Sequence, residues 1–202
     1  SGKILLGWLF NTYKGSTVRK IMRLNVDWNI DTWFDVWEGI EWFVFKVLVD
    51  SSGKILLWWQ FMEYQWVSAN SIIRLNSDGS RDNTFVVWDW FNGIVNTILI
   101  QDDWKMIVWW SFTAYQWESA NRIIRLNSDG SRDTSFDIWN GFSSDVTSIV
   151  VQGDGKIVVG WNFSSYDWEL VNYITRLNSD GSRDDTFNVG NWFNSFIFCV
   201  VV

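Results

Sequence analysis

The chain has 202 residues, of which 48% are hydrophobic and 19% charged, with a net charge of −7 and no histidine. This balance is that of a globular protein, and the negative charge argues against nucleic acid as a partner because it repels phosphates. The single cysteine excludes an internal disulfide framework and a cysteine metal site, and no apolar run of about 18 residues predicts a membrane span.

A 51-residue repeat runs through the chain without insertion or deletion. Its four copies start near residues 2, 53, 104 and 155, so we expect a single repeat domain over residues 1–202. Identical columns include a lysine (Lys3, Lys54, Lys105, Lys156), a phenylalanine (Phe10, Phe61, Phe112, Phe163), a tyrosine (Tyr13, Tyr64, Tyr115, Tyr166) and an aspartate (Asp31, Asp82, Asp133, Asp184). Because the pattern begins and ends within a copy, we expect the chain to be a fragment of a longer protein.

Taken in chain order, the segments of one repeat predict strands and turns. NTILIQ is an apolar, β-branched strand, DDWK or GDGK a turn, and KIVVG the return strand. SFTAYQWESANR is a polar connection, RIIRLN a third strand, SDG a tight turn and SRDTSF a fourth strand. No segment shows a helical period over about 11 residues or more.

Four antiparallel strands in about 50 residues are typical of a β-propeller blade. The predicted fold is therefore all-β and β-propeller-like, with four repeats that each form a four-stranded antiparallel blade. The last segment, FIFCVVV, is predicted to be a first strand that pairs with GKILL and closes a ring. An open β-solenoid of stacked repeats is the alternative.

The pattern DGKIVVG, then F and Y, then RLNSDGSRD and TF, resembles the delta-60 repeat of large bacterial surface and secreted proteins. The resemblance covers essentially the whole chain in all four copies. It implies an extracellular or cell-surface scaffold or binding module with no shared catalytic chemistry and no cofactor. The chain departs from the family pattern in one respect, since tryptophan stands at many of its glycine positions.

Seven columns of the repeat contain both glycine and tryptophan, and they hold 13 of the 18 tryptophans. Trp117 and Trp168, for example, share a column with Gly15. A further column is tryptophan in every copy, where the family pattern has glycine (Trp8, Trp59, Trp110, Trp161). Trp33 aligns with threonine or serine in the other copies. Glycine is used where φ is positive or backbones come close, and tryptophan meets neither need.

The codon UGA offers an explanation of this exchange, because it means stop, tryptophan or glycine in different genetic codes. Our hypothesis is that most or all of the tryptophans are glycines in the native protein. IVWWSF, residues 107–112, would then be a strand that ends in a Gly-Gly bulge. A genuinely tryptophan-rich propeller with stacking pockets and deliberate engineering are the alternatives.

The residue types favour a protein that is not an enzyme. Without histidine, the commonest general base and metal ligand are missing. Cys199 lies in an apolar segment and is expected to be a buried, inert thiol in a strand. The NSDGSRD loops are predicted to be turns, with a calcium site at Asn76, Asp78 and Asp82 as the alternative.

The repeated tyrosines either pack each blade onto its neighbour or line a ligand face, and packing is the favoured interpretation. Arg74 and Asp82, with their counterparts, are expected to form a polar network between strands. Residues that differ between copies are the candidates for recognition: Lys14, Gln65, Gln116 and Asp167, followed by Val67, Glu118 and Glu169. The predicted function is a non-catalytic module for protein or glycan interaction. A lectin using aromatic residues and a propeller-based carbohydrate-active enzyme are the alternatives.

Overall fold

The computed structural model describes residues 2–36, 40, 44, 46–58, 63–64, 67–69, 71–85, 91–93, 95–190 and 193–201. These residues contain strands and no helix, which confirms the all-β prediction. The chain divides into two compact units, Ser1–Trp90 and Phe91–Val202. The single repeat domain expected over residues 1–202 stays a prediction.

The first compact unit holds nine described strands in four antiparallel sheets. β1 (Ile4–Gly7) pairs with β4 (Ile21–Leu24), and β2 (Thr12–Tyr13) pairs with β3 (Ser16–Thr17). A three-stranded sheet has the order β5 (Lys46–Val49), β6 (Ile55–Trp58), β9 (Ile72–Leu75). β7 (Glu63–Tyr64) pairs with β8 (Val67–Ser68).

The second compact unit repeats this plan twice. One three-stranded sheet has the order β10 (Val95–Ile100), β11 (Met106–Trp110), β14 (Ile123–Leu126), and β12 (Ala114–Tyr115) pairs with β13 (Glu118–Ser119). The other has the order β15 (Val146–Val151), β16 (Ile157–Trp161), β19 (Ile174–Leu177), and β17 (Ser165–Tyr166) pairs with β18 (Glu169–Leu170). The register shifts opposite Trp109 and Trp110, where the extra residue is Asn96 of β10 rather than a residue of the predicted bulge in IVWWSF.

The middle strand of each three-stranded sheet is buried on both faces. Ile157, Val158 and Val159 of β16 are all buried, because alternate side chains point to opposite sides of the sheet and both sides are covered. Around this strand, the core of the second unit also contains Phe142 and Tyr166. The apolar, β-branched strand sequences therefore reflect burial on two sides.

The fourth strand predicted over SRDTSF was wrong for the described residues. Residues 131–136 contribute a single bridge, between Leu126 and Arg132, and then turn. The cause is Asp133, whose carboxylate accepts hydrogen bonds from the Ser135 backbone N–H at 3.0 Å and from its hydroxyl at 2.6 Å. This local turn bends the chain away from the sheet. The remaining strand pair of a repeat is instead the short hairpin of the polar connection, such as β12–β13.

The strand predicted over FIFCVVV was also wrong, since the described residues 193–201 contain no strand. The segment lies beside β16, where Phe196 and Phe198 pack on Trp161 at ring-centroid distances of 5.1 and 4.7 Å. The Val200 backbone N–H donates to the Ser148 hydroxyl at 2.8 Å. Cys199 is exposed, which corrects its predicted burial.

Successive repeats are joined by the same contacts in both compact units. The Arg125 guanidinium donates to the Ser179 backbone carbonyl at 2.5 Å, and Arg23 makes the same bond to Ser77. The Asp137 backbone N–H donates to the carbonyl of Asp180 at 2.8 Å. In each case a side chain or backbone group of one repeat holds the SDG turn of the next.

Candidate functional site

Short hairpins at β2–β3, β7–β8, β12–β13 and β17–β18 carry the residues that differ between repeats. Tyr115 is paired with Glu118, so the loop contains only Gln116 and Trp117, with φ of 53° and 64°. Two positive φ values define a type I′ turn, whose twist matches that of the flanking strands. Lys14–Gly15 and Asp167–Trp168 have the same conformation. The repeat therefore presents one backbone shape with different side chains.

The variable side chains make different contacts in each repeat. The Lys14 ammonium donates to the Trp28 backbone carbonyl at 3.0 Å, and Asp167 accepts a hydrogen bond from the Asn140 amide at 2.8 Å. Gln116 is half-buried. Glu118 and Glu169 form ion pairs with Arg132 and Arg183 at 3.1 and 3.9 Å. Gln65 and the side chain of Val67 lie outside the described residues.

The repeated tyrosines stand at the base of these hairpins. Tyr64, Tyr115 and Tyr166 are buried, and their hydroxyls donate to the backbone carbonyls of the glycines in the SDG turns (Gly79, Gly130, Gly181). Burial raises the pKa of all three well above its ordinary value, so they stay protonated and keep donating. These three rings offer no surface to a ligand. Tyr13 is half-buried and donates to the Trp28 carbonyl at 2.9 Å.

Aromatic packing connects the β12–β13 and β17–β18 hairpins to the segment before each, whereas Ile40 forms the bridge to Tyr64 at the β7–β8 hairpin. Phe142 forms a bridge with Tyr166, and its ring lies 4.6 Å from the rings of Tyr166 and Phe163. Phe91 stands in the same relation to Tyr115. The tyrosine column therefore packs segments together, as the favoured interpretation of the sequence holds.

Each repeat contains a buried aspartate held by a lysine and an arginine, which confirms the predicted polar network. Asp82 accepts from the Lys54 ammonium at 2.6 Å and from Arg74 Nε at 2.7 Å. Burial alone would raise the pKa of Asp82, but the bonds from Lys54, Thr84 and Arg74 outweigh it and hold the pKa far below its usual range. The Arg74 guanidinium also lies 4.9 Å from the Phe85 ring centroid. The network is thus fixed on several sides.

The residues of the calcium alternative are engaged with protein groups. Asp78 accepts bonds from the Ser80 backbone N–H at 2.9 Å and from its hydroxyl at 2.7 Å, which closes the SDG turn. The Asn76 side-chain amide donates to the Ser80 hydroxyl at 2.9 Å. Asp82 belongs to the ion network. Among the described residues, no group of three or more His, Cys, Asp or Glu has the arrangement of a metal site.

A shallow cleft of about 320 Å³ lies at the base of the β17–β18 hairpin. Its polar lining comes from Asn121, Arg122, Asn140, Ser143 and Ser165, with Phe142 and the exposed ring of Trp168 beside them. Sequence reasoning missed these residues because they lie in the connections, where the four copies differ. The available signal was that Arg122 stands in a column otherwise occupied by lysine, serine and tyrosine.

The strand plan, the identical hairpins and the repeated ion network together define a propeller-type β-repeat protein. The chain belongs to a family of β-propeller domains of unknown function, DUF5122, whose sequence profile matches residues 1–34, 51–85, 105–136 and 152–187. Each match covers the same part of a repeat. No curated protein matches the chain.

Among solved structures, the chain is similar to a protein of unknown function from Bacteroides caccae, with 12% sequence identity and a TM-score of 0.41. The similarity covers 87% of this chain and 61% of the other, so the chain spans less than two thirds of that protein's length. In the described part of the chain, no helix is long and apolar enough to cross a membrane.

Proposed function

We propose that the chain is a non-catalytic structural or binding module of a larger bacterial extracellular or surface protein, as the resemblance to the delta-60 repeat implies. The observation that carries this proposal is the set of type I′ hairpins. Their backbone is the same in three described copies, while the first turn residue is Lys14, Gln116 or Asp167. A constant scaffold with variable tips is suited to recognising a protein or a glycan.

The recurring carboxylates support a structural role rather than catalysis. Asp31, Asp82, Asp133 and Asp184 are each bound by a lysine and an arginine of their own repeat. Their low pKa keeps them ionised at neutral pH, so they cannot donate a proton as a glycosidase acid must.

A carbohydrate-binding lectin is a second candidate, and it rests on the cleft beside Trp168. This indole is 81% exposed and stands next to Asn140, Ser165 and Arg122. An exposed aromatic face beside amide, hydroxyl and guanidinium groups suits a sugar, whose C–H face stacks while its hydroxyls form hydrogen bonds. This candidate requires that the indole is present in the native protein.

A glycan array tests binding with three proteins. These are the unchanged chain, a tip variant (Lys14→Ala, Gln116→Ala, Asp167→Ala) and a matched control with three exposed residues changed elsewhere (Ser51→Ala, Asp102→Ala, Thr134→Ala). A glycan retained by the chain and the control but lost by the tip variant supports recognition through the hairpins. Cleavage of any arrayed glycan contradicts the non-catalytic assignment.

Exposure on the cell is tested separately, with antibodies raised against the chain. Intact cells of the source bacterium should bind the antibody as strongly as lysed cells. Binding only after lysis contradicts an extracellular location.

A further inference from the structure

Six of the eleven described tryptophans have a backbone conformation that favours glycine. Their φ values lie between 48° and 152°, and they are Trp28, Trp104, Trp110, Trp117, Trp139 and Trp168. Side chains larger than hydrogen clash with the backbone in this region, which is why glycine is the usual occupant. Tryptophan is thus concentrated where the chain needs glycine.

Glycines in the same columns have the same conformation. Gly15, at φ 81°, is the counterpart of Trp117 and Trp168, at 64° and 66°. Gly53 and Gly155, at 83° and 82°, are the counterparts of Trp104 at 65°. The backbone requirement therefore belongs to the column, and it is met by glycine in some copies and by tryptophan in others.

Phenylalanine, a large aromatic residue that is also common in the chain, gives an internal control. None of the twelve described phenylalanines has a positive φ, although the chain has nearly as many phenylalanines as tryptophans. The described phenylalanines therefore all lie at positions whose φ suits a residue with a side chain. The contrast is between tryptophan, with six of eleven described residues at positive φ, and phenylalanine, with none of twelve. Seven other non-glycine residues also have a positive φ: Lys14, Lys20, Ser71, Gln116, Arg122, Asp167 and Tyr173.

A second column shows the same conflict through space rather than φ. A Cβ added at Gly160 would lie 2.9 Å from Val200 Cγ2 and 3.2 Å from Ile197 Cγ2, so a side chain there would force these neighbours to move. Its counterpart Trp109 is buried, and the indole N–H of Trp109 has no hydrogen-bond partner. Buried indoles usually find a partner for this group. A glycine at position 109 has no such group to satisfy.

We infer that UGA codons in the gene for this chain are translated as glycine in the source organism, and that tryptophan positions of the repeat are glycines in the native protein. One codon that means glycine in one code and tryptophan in another explains why six of the seven mixed columns contain only these two residues. The seventh column also contains Ser144 and Ser195. Selection for an aromatic ring would also admit phenylalanine or tyrosine, which stand in none of the seven mixed columns.

The inference changes the surface of the hairpins, independently of what they bind. With glycine at positions 117 and 168, the turns become Gln-Gly and Asp-Gly, matching Lys14–Gly15 and the preferred sequence of type I′ turns. The exposed indole beside the cleft disappears. The variable polar residue then becomes the principal side chain at each tip.

Mass spectrometry of the protein isolated from the source organism tests the inference. The tryptic peptide from Met106 to Arg122 contains positions 109, 110 and 117, and the peptide LNSDGSR, residues 126–132, contains no tryptophan and serves as the identification control. We expect masses and fragment ions for glycine at all three positions. Tryptophan at any of the three positions overturns the inference.

The sequence of the gene gives a second, independent readout. We expect UGA at positions 109, 110 and 117, and ordinary GGN codons at Gly15, Gly53 and Gly155. A UGG codon at any of the three tryptophan positions overturns the inference, because UGG means tryptophan in all these codes.

Discussion

Replacing Trp117 and Trp168 with glycine is expected to stabilise the chain as it is written. Both side chains are more than 80% exposed, so their removal costs little packing. A non-glycine residue in the left-handed region destabilises the fold by about 1–2 kcal/mol, and its replacement by glycine removes this strain. Glycine itself lowers stability by about 0.5–1 kcal/mol, because it has more conformational freedom to lose from the unfolded chain. The net gain is about 1 kcal/mol at each site, or about 2 kcal/mol for the double variant.

The matched control is Trp33→Gly. Trp33 is 84% exposed, as the two tip residues are, but its φ is not positive. Its replacement removes no backbone strain, so we expect a loss of about 0.5–1 kcal/mol from the glycine alone. The three tryptophans are therefore similarly exposed, but only Trp117 and Trp168 have a positive φ.

Urea unfolding followed by far-UV circular dichroism measures the difference, because fluorescence would change with every tryptophan removed. In thermal unfolding followed by the same signal, the double variant should have a melting temperature about 4–8 °C above that of the unchanged chain, from about 2–4 °C per kcal/mol for a protein of this size. If Trp117→Gly and Trp168→Gly lower stability as much as Trp33→Gly, the left-handed turns are not strained and the reasoning fails.

Three further changes test the network, the tyrosines and the SDG turns. Asp133→Ala should cost about 3 kcal/mol in urea unfolding, because it leaves the buried Arg125 and the half-buried Lys105 without their carboxylate. Since the folded pKa of Asp133 lies below the unfolded value of about 3.9, its contribution is present above that pH and declines as the pH falls further; an Asp133→Ala deficit that stays constant on acidification refutes this. Tyr115→Phe should cost about 1–2 kcal/mol by orphaning the buried Gly130 carbonyl, whereas Tyr13→Phe, at a half-buried site, should cost less, and equal losses would contradict the argument. Gly181→Ala should lower the melting temperature by several degrees, because φ is 92° and the new Cβ would lie 2.7 Å from a backbone oxygen; an unchanged melting temperature speaks against the close approach.

The sequence predicts the strands well where hydrophobic pattern and repetition agree. KIVVG and RIIRLN lie in β16 and β14 because β-branched runs bounded by turns have few other ways to be buried. SRDTSF fails because its central aspartate bonds its own backbone, and the cost of breaking those bonds exceeds the gain from one more strand. Residue propensities do not show that competition.

The candidate site was less accessible to prediction. Turn geometry at Lys14, Gln116 and Asp167 follows from loop length and could be anticipated, since two-residue hairpin loops favour the I′ form. The cleft at Arg122 and Ser143 depends on which connections meet, and this is set by register rather than by local sequence. Periodicity marks what the copies share and says little about what distinguishes them.

The bond from Arg125 to the SDG turn of the following repeat has a consequence for the history of the gene. The same contact recurs with the same partners, so a copied repeat brings both halves of its junction with it. Duplication or loss of 51 residues at the DNA level creates no new kind of interface, because each junction is formed by the same groups of two neighbouring repeats. Exchange of whole repeats therefore preserves the contacts at each junction, in keeping with copies that recur at a constant spacing of 51 residues.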